Sequence, residues 1–434
     1  MTTYPTTTEP PVQSRGGLEQ TLAQGEFLFA LLALAFFSGA HQPIATYLLG
    51  ESTEGIFSSL LRYSIFAGAL ALLALRWRRS LAIARQGVLI WLLISLNIAS
   101  YLWSELPEWS YLSIRGELLP VTLFGLYFAS RYSLREQLRI VAIFLLFSAV
   151  GCILTVFLLP EVGKHPLTEF DGAWRGLYRH KNSLSAYMSL SALSFLAILF
   201  GKDHPKLLGP GLTWTGLGVT VALILLSTSA TGLLLLIFLT AILLIYSRYR
   251  WRGKRSVLAL NLGIGLGIAA LIFVTLNWAT ILAGLGKDPT LTGRVLLWQG
   301  SLDFWQDKFW LGYGRDAFWH PDLPYAATVG SKIAWQYIPP HGHNGFIDTG
   351  LEVGVIGLGI FLLGLGLTLT RAFRMAYLRP AAHLLWAAGF LCLFVVFNFI
   401  ESAILNGANL YFVLYLSVYL SLRLPKRELF YDDP

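Results

Sequence analysis

Runs of about twenty apolar residues, parted by short basic clusters, recur along nearly the whole chain and constrain it more than any other feature. A helix that crosses a bilayer needs roughly 20 mostly apolar residues. Twelve stretches qualify, near 26–42, 55–76, 87–103, 110–130, 136–159, 182–201, 208–226, 230–247, 257–278, 346–370, 382–400 and 405–422. Of the 434 residues only 13% are charged and 55% are hydrophobic, a charge fraction well below that of soluble domains. The expected class is all-α, a polytopic membrane helical bundle of about twelve spans. The net charge of +8 would suit a nucleic-acid binder. Its basic residues, however, sit between the spans, where membrane topology accounts for them, so membrane lipids and no nucleic acid are expected as partners. Cys152 and Cys392 both lie inside apolar runs and build neither a disulfide nor a zinc framework.

Orientation follows from lysine and arginine in the loops. Alternate loops carry Arg76, Arg78, Arg79 and Arg85, then Arg131, Arg135 and Arg139, then Lys202 and Lys206. They continue with Arg248 to Arg255, with Arg371, Arg374 and Arg379, and with Arg423, Lys426 and Arg427. The short loops of opposite parity, around 41–54, 104–109, 227–229 and 401–404, have none. Both termini are therefore expected in the cytoplasm and the segments 160–181 and 279–345 outside it. The expected organisation is a disordered cytoplasmic tail over 1–25, spans one to nine over 26–278, a large periplasmic loop over 279–345, spans ten to twelve over 346–422 and a cytoplasmic tail over 423–434. The first segment is Thr/Pro-rich without a basic leader region, so it reads as a tail rather than a signal peptide.

The loop 279–345 is too long for a simple connection. Within it Val295, Trp298, Leu302, Trp305 and Phe309 recur at helical spacing, predicting an amphipathic helix that serves as a lid. Two placements fit: along the membrane interface, or packed over the mouth of the bundle. Arg294 opens that helix after Thr292-Gly293, and a guanidinium beside free helix N–H groups favours phosphate oxygens.

Three further groups carry candidate chemistry. Arg175, Arg179, His180, Lys181 and Asn182 crowd the start of the sixth span, on the side that topology leaves poor in cations, with Asn182 as the expected cap. Arg175 is the residue there expected to bind an anionic substrate, and Lys181 is equally suited to snorkelling at headgroups. His341, His343 and Asn344 end the long polar excursion just before the tenth span. A neutral imidazole there accepts a proton from a hydroxyl near neutral pH. Metal binding is the rival, but the sequence offers no third ligand, so neither a metal nor a cofactor is expected. Arg62, Arg115 and Glu117 lie within spans toward their outer ends; Arg115 is the better substrate contact, and Glu117 is suited to neutralising an arginine. The turn 227–232, STSATG, suggests no chemistry.

These residues resemble a known family. His343-Asn344, nine residues and then Gly354-Val355-Ile356-Gly357 is similar to a signature of the O-antigen ligase and polymerase superfamily. Thr292-Gly293-Arg294 followed by Trp298, Leu311-Gly312-Tyr313-Gly314 and the turn 227–232 add to it, and the resemblance covers about 55–422. The segment 175–182 looks more like exopolysaccharide polymerases of the succinoglycan type than like lipopolysaccharide ligases. The resemblance implies a membrane-embedded, metal-independent, inverting glycosyltransferase in the bacterial inner membrane. Its implied donor is an oligosaccharide on undecaprenyl diphosphate, and its acceptor a glycan or lipid A-core hydroxyl. It implies His343 as the catalytic residue and Arg175 and Arg294 as ligands of the diphosphate, with Arg115 expected from its place in a span to join them. His180, Lys181, Asn182 and Asn344 are expected as secondary substrate contacts. The competing class is a secondary transporter of a small anion such as bicarbonate, against which no paired half-repeats with broken mid-membrane helices are evident.

Overall fold

The computed structural model describes residues 17–202, 208–248 and 293–424. Among these the backbone is mostly helical, with one isolated bridge between Lys164 and Trp174 and no strand. The first elements are α1 (Gly17–Phe37), α2 (Gln42–Leu49), α3 (Glu51–Leu75), α4 (Trp77–Ala84) and α5 (Val88–Ala99). Then α6 (Pro107–Ser113) passes through a π-helical turn, Ile114–Leu118, into α7 (Leu119–Arg131) and on to α8 (Leu134–Leu158). Single turns α9 (Pro160–Gly163) and α10 (Leu167–Phe170) lead to α11 (Lys181–Phe200), α12 (Pro210–Leu226) and α13 (Ala230–Arg248). The lid holds α14 (Arg294–Asp307) and α15 (Pro324–Ser331), before α16 (Gly345–Leu378), α17 (Ala382–Asn398) and α18 (Leu410–Ser421). The start of the N-terminal tail (1–16), the ninth span (257–278), residues 279–292 with the expected Thr292 cap, and the chain from 425 on lie outside the described residues.

The protein is an all-α polytopic membrane protein. Seven described helices are long and apolar enough to cross a bilayer, and α4 with Val88–Leu102, bent by 92°, makes an eighth if the pair is one span. Of the twelve expected, the ninth lies outside the described residues, and α12, α17 and α18 are apolar but shorter than a full span. At 1.5 Å per residue the 12 residues of α18 reach only about 18 Å, against a hydrocarbon thickness of about 30 Å. The apolar run read as 405–422 begins its helix only at Leu410, capped by Asn409, and 399–409 is irregular. Every residue of α18 is buried, so protein rather than lipid surrounds it and irregular backbone at its end is tolerated. At the other end of the chain, α1 starts at Gly17, within the segment read as tail.

Several loops of like parity lie against one another. Arg76 and Arg131 converge on the buried carboxylate of Glu26, the Lys202 N–H donates to the Pro380 carbonyl, and Arg371 donates to the carbonyl of Leu424. The opposite set meets likewise: Glu105 pairs with Lys308, Arg315 donates to the Leu405 carbonyl, and Lys181 reaches Thr228.

Helix α16 is broken where two motifs of the sequence meet. Val353 and Gly354 leave helical geometry, Gly354 with φ +67°. The backbone groups freed by the break are taken up by the lid: Tyr313 N–H donates to the Leu351 carbonyl (2.7 Å), Gly314 N–H to Glu352 (3.0 Å), and Val355 N–H to Phe309 (2.8 Å). A Cβ on Gly354 would overlap the Trp310 carbonyl, and one on Gly312 the Leu351 carbonyl. Leu311-Gly312-Tyr313-Gly314 and Gly354-Val355-Ile356-Gly357 are therefore two sides of one backbone contact. It docks the lid onto a membrane helix.

The lid is packed over the bundle. Leu297, Tyr313, Phe318, Trp319, Ala326, Val329 and Leu351 form a small core of their own. The most buried residues of α14 are Leu297, Gly300 and Ser301; of the expected stripe Trp298 and Trp305 pack against this core, while Leu302 and Phe309 are exposed. Small residues let α15 approach, with Val329 against Gly300, and a packing contact of that kind is invisible to a pattern of large apolar side chains.

Candidate active site

The loop before α16 delivers two imidazoles to the lid face. Asn344 caps the helix, its Oδ1 accepting from the Phe346 and Ile347 N–H groups (3.1 and 3.3 Å). His343 takes a positive φ of 50°, and its N–H donates to His341 Nδ1 (3.2 Å). The two rings lie edge to face with centroids 4.2 Å apart. Burial, then the neighbouring His343, pushes the His341 imidazole down to about 4, so it is neutral at pH 7.

His343 Nδ1 lies 2.9 Å from Oε2 of Glu401, which stands on the turn after α17. The other oxygen, Oε1, is 3.4 Å from the guanidinium of Arg294, the first residue of α14. Burial acts to raise the Glu401 carboxyl, but the His343 hydrogen bond, the two neighbouring imidazoles and the Arg294 guanidinium outweigh it and hold the group below its ordinary value. An ionised carboxylate accepts from Nδ1–H, which leaves Nε2 of His343 as the basic nitrogen.

Two buried residues fix this geometry. Asp348, in the first turn of α16, accepts from the Gly342 N–H (3.0 Å), from the Trp319 indole (2.9 Å) and from the Ser402 hydroxyl. It ties the histidine loop, the lid and the Glu401 turn to one carboxylate. Asn398 Oδ1 accepts from Ala403 and Ile404 N–H (2.8 and 3.0 Å) and so shapes the same turn. Trp298 donates from α14 to the Gly342 carbonyl (2.9 Å).

Of the residues singled out in the sequence, His343, Asn344 and Arg294 come together here. Arg175 does not join them through any hydrogen bond or ion pair among the described residues. Its Nε and one terminal nitrogen donate to the carbonyls of Val162 and Glu161, both at 2.9 Å, closing the end of α9. It also borders a cavity of about 670 Å³ with Arg179, Glu51, Glu54 and Glu161. Arg115 is exposed on the π-helical turn, 5.8 Å from the ring centres of Tyr63 and Tyr111. His180, not Asn182, caps α11, its Nδ1 accepting from the Asn182 N–H (3.1 Å). Asn182 sits within the first turn and accepts from Ser229 (3.4 Å), and Lys181 lies over the Phe170 ring and reaches Thr228 (3.4 Å). The STSATG turn is thus the seat on which this segment docks.

The residues missed are mostly acids. Glu401 is the one Asp or Glu between 380 and 422, and a lone carboxylate in apolar sequence was the available signal. Arg315, 1% exposed, pairs with Glu117 (3.6 Å) and Glu352 (3.9 Å) and bonds Ser113 and the Leu405 carbonyl. The arginine that Glu117 neutralises therefore comes from the lid. His341, His343 and Glu401 could also hold a metal ion, their donor atoms all lying within 4.8 Å of one another. The third ligand that the sequence lacked is supplied by the fold. An ion there would displace the His343–Glu401 hydrogen bond and compete with Arg294.

A helical membrane bundle with an imidazole, a carboxylate and a guanidinium gathered beneath a docked lid is the class that fold and site define. The family model for O-antigen ligase matches residues 215–362, a range that contains Arg294, His343 and the Gly354 break and ends before Glu401. The exopolysaccharide production protein ExoQ of Rhizobium meliloti (strain 1021) is 36% identical over 84 residues, and the chain spans 18% of that relative's length, using 18% of its own. Both matches support the O-antigen ligase and polymerase superfamily as the home of this chain, and they do not favour the transporter.

Proposed function

We propose that this protein transfers or polymerises a glycan carried on undecaprenyl diphosphate, passing it to a glycan or lipid A-core hydroxyl. The reaction takes place at the outer face of the bacterial inner membrane, with both termini cytoplasmic. The acceptor hydroxyl gives its proton to Nε2 of His343 as its oxygen attacks the anomeric carbon. The bond from that carbon to the diphosphate breaks on the opposite face, so the configuration inverts and undecaprenyl diphosphate leaves with the electron pair. Arg294 stabilises the charge that grows on it, a role that needs no metal. Arg175, whose guanidinium is bonded to the Val162 and Glu161 carbonyls, is assigned to the scaffold, and Arg115 is left as a contact for the donor rather than a ligand of the reacting phosphate.

The observation that carries this reading is the meeting of Arg294 and His343 on the two oxygens of Glu401. The test is purified protein in liposomes with a lipid-linked oligosaccharide and chelator. Released undecaprenyl diphosphate with extended or ligated product is expected, and His343→Ala should lower the rate by about 10²- to 10⁴-fold. Turnover that needs a divalent ion would instead assign the His341–His343–Glu401 group to a metal.

A further inference from the structure

Glu401 stands between the two groups to which the proposed reaction gives opposite tasks. One carboxylate oxygen holds His343 Nδ1 at 2.9 Å. The other meets Arg294 at 3.4 Å, through one nitrogen, with both side chains about a quarter exposed (23% and 26%). The first contact is an ordinary charge-assisted hydrogen bond. The second is long and partly open to solvent, a geometry in which an ion pair contributes little, and among the described residues it engages one nitrogen of the guanidinium's fork.

The three residues belong to separate parts of the chain: the loop before α16, the start of the lid helix, and the turn after α17. That turn is rigid. Glu401 N–H donates to the Phe397 carbonyl (2.8 Å), Ser402 is bonded to Asp348, and Asn398 holds Ala403 and Ile404. A carboxylate on so fixed a base sets the plane of the His343 ring, while the arginine opposite it remains exchangeable.

Resting on the glycosyl-transfer reading, we infer that Glu401 is a positioning residue with two duties: it orients His343 for proton transfer, and it is the resting counterion of Arg294, yielding that guanidinium to an arriving diphosphate. A diphosphate offers several oxygens to the fork where Glu401 offers one, so the exchange runs toward the donor. Once Arg294 has turned away, the carboxylate is left to the imidazole alone. Donor binding and activation of the base are thereby coupled through one side chain.

Glu401→Gln keeps the shape and removes the charge. In the reconstituted assay it should lower kcat by about 10²-fold while leaving KM for the lipid-linked donor unchanged or lower, with Glu401→Asp recovering part of the rate. Direct binding of undecaprenyl diphosphate should be about 2- to 5-fold tighter in Glu401→Gln, the release of a weak surface pair, and weaker in Arg294→Gln. Wild-type kcat in Glu401→Gln would overturn the inference, as would a raised donor KM with diphosphate binding weaker than wild type. A wild type that binds undecaprenyl diphosphate but transfers no glycan would sink the glycosyl-transfer reading. Tighter binding by Glu401→Gln in that same protein would still uphold the counterion role, and equal binding would end it.

Discussion

The segment 175–182 and the cluster of Arg294, His343 and Glu401 look alike in sequence and are built in opposite ways. Each sets arginine and histidine at the starts of helices. In the first, the polar side chains are turned on their own neighbourhood: Arg175 closes α9 through two carbonyls, His180 caps α11, and Asn182 and Lys181 seat the 228–229 turn. In the second, side chains from three distant segments meet one another, and the supporting bonds come from behind, from Asp348 and Asn398. A guanidinium spent on backbone carbonyls is part of the scaffold. One that faces a single long ion pair is available for a ligand.

The largest expected effect separates the two arginines. Arg294→Gln should cost about 10²- to 10³-fold in kcat, the usual consequence of removing a donor aimed at developing charge. Arg175→Gln should keep kcat near wild type and lose thermal stability, by roughly 1–3 kcal/mol for hydrogen bonds from a charged group. Melting curves and turnover of the same two preparations decide it. Equal losses of kcat would mean that both segments grip one substrate, and the contrast would vanish.

How much of this was legible follows the range of each interaction. The helices were readable because the length of an apolar run is local to it, and Glu26 between Arg76 and Arg131 ties three of their ends together. Asn344 at the start of α16 was readable for the same reason. Glu401 was not, since it is 58 residues from His343 and 107 from Arg294, and nothing in its own neighbourhood points to either. Nor was the part that Gly300 plays in the buried face of α14, where Val329 of α15 comes close beside Leu297. The limits of the last spans were less readable, because apolar composition does not say where a helix gives way to the irregular 399–409 segment.

The next effect tests whether the lid's docking holds the second cluster together. Gly354→Ala forces an L-residue to φ +67° and drives a Cβ into the Trp310 backbone, at roughly 1–3 kcal/mol for the strain alone. Residues 309–314 should lift from α16. Limited proteolysis at Lys308 should quicken and glycan transfer should fall, while the 175–182 segment keeps its protection from hydrogen exchange. Equal loss of protection in both segments would show one cooperative unit and no separate lid.

The smallest effect lies at the lid's other tie. Glu105 pairs with Lys308 and accepts from the Tyr325 hydroxyl (2.7 Å). Burial acts to raise its carboxyl, but those two hydrogen bonds outweigh it and hold the group below its ordinary value. A carboxylate whose folded value is depressed adds stability above its unfolded value, near pH 4.3, and loses it as the pH falls through the folded value. The tie is therefore complete at pH 7 and weakens in acid, by at most about 1 kcal/mol for so exposed a pair. Lid protection measured by hydrogen exchange from pH 7 to pH 4 should decline less steeply in Glu105→Gln than in wild type. The two profiles running parallel would mean that Lys308 and Tyr325 hold the lid without the charge, and that α14 depends on its contact with α16 alone.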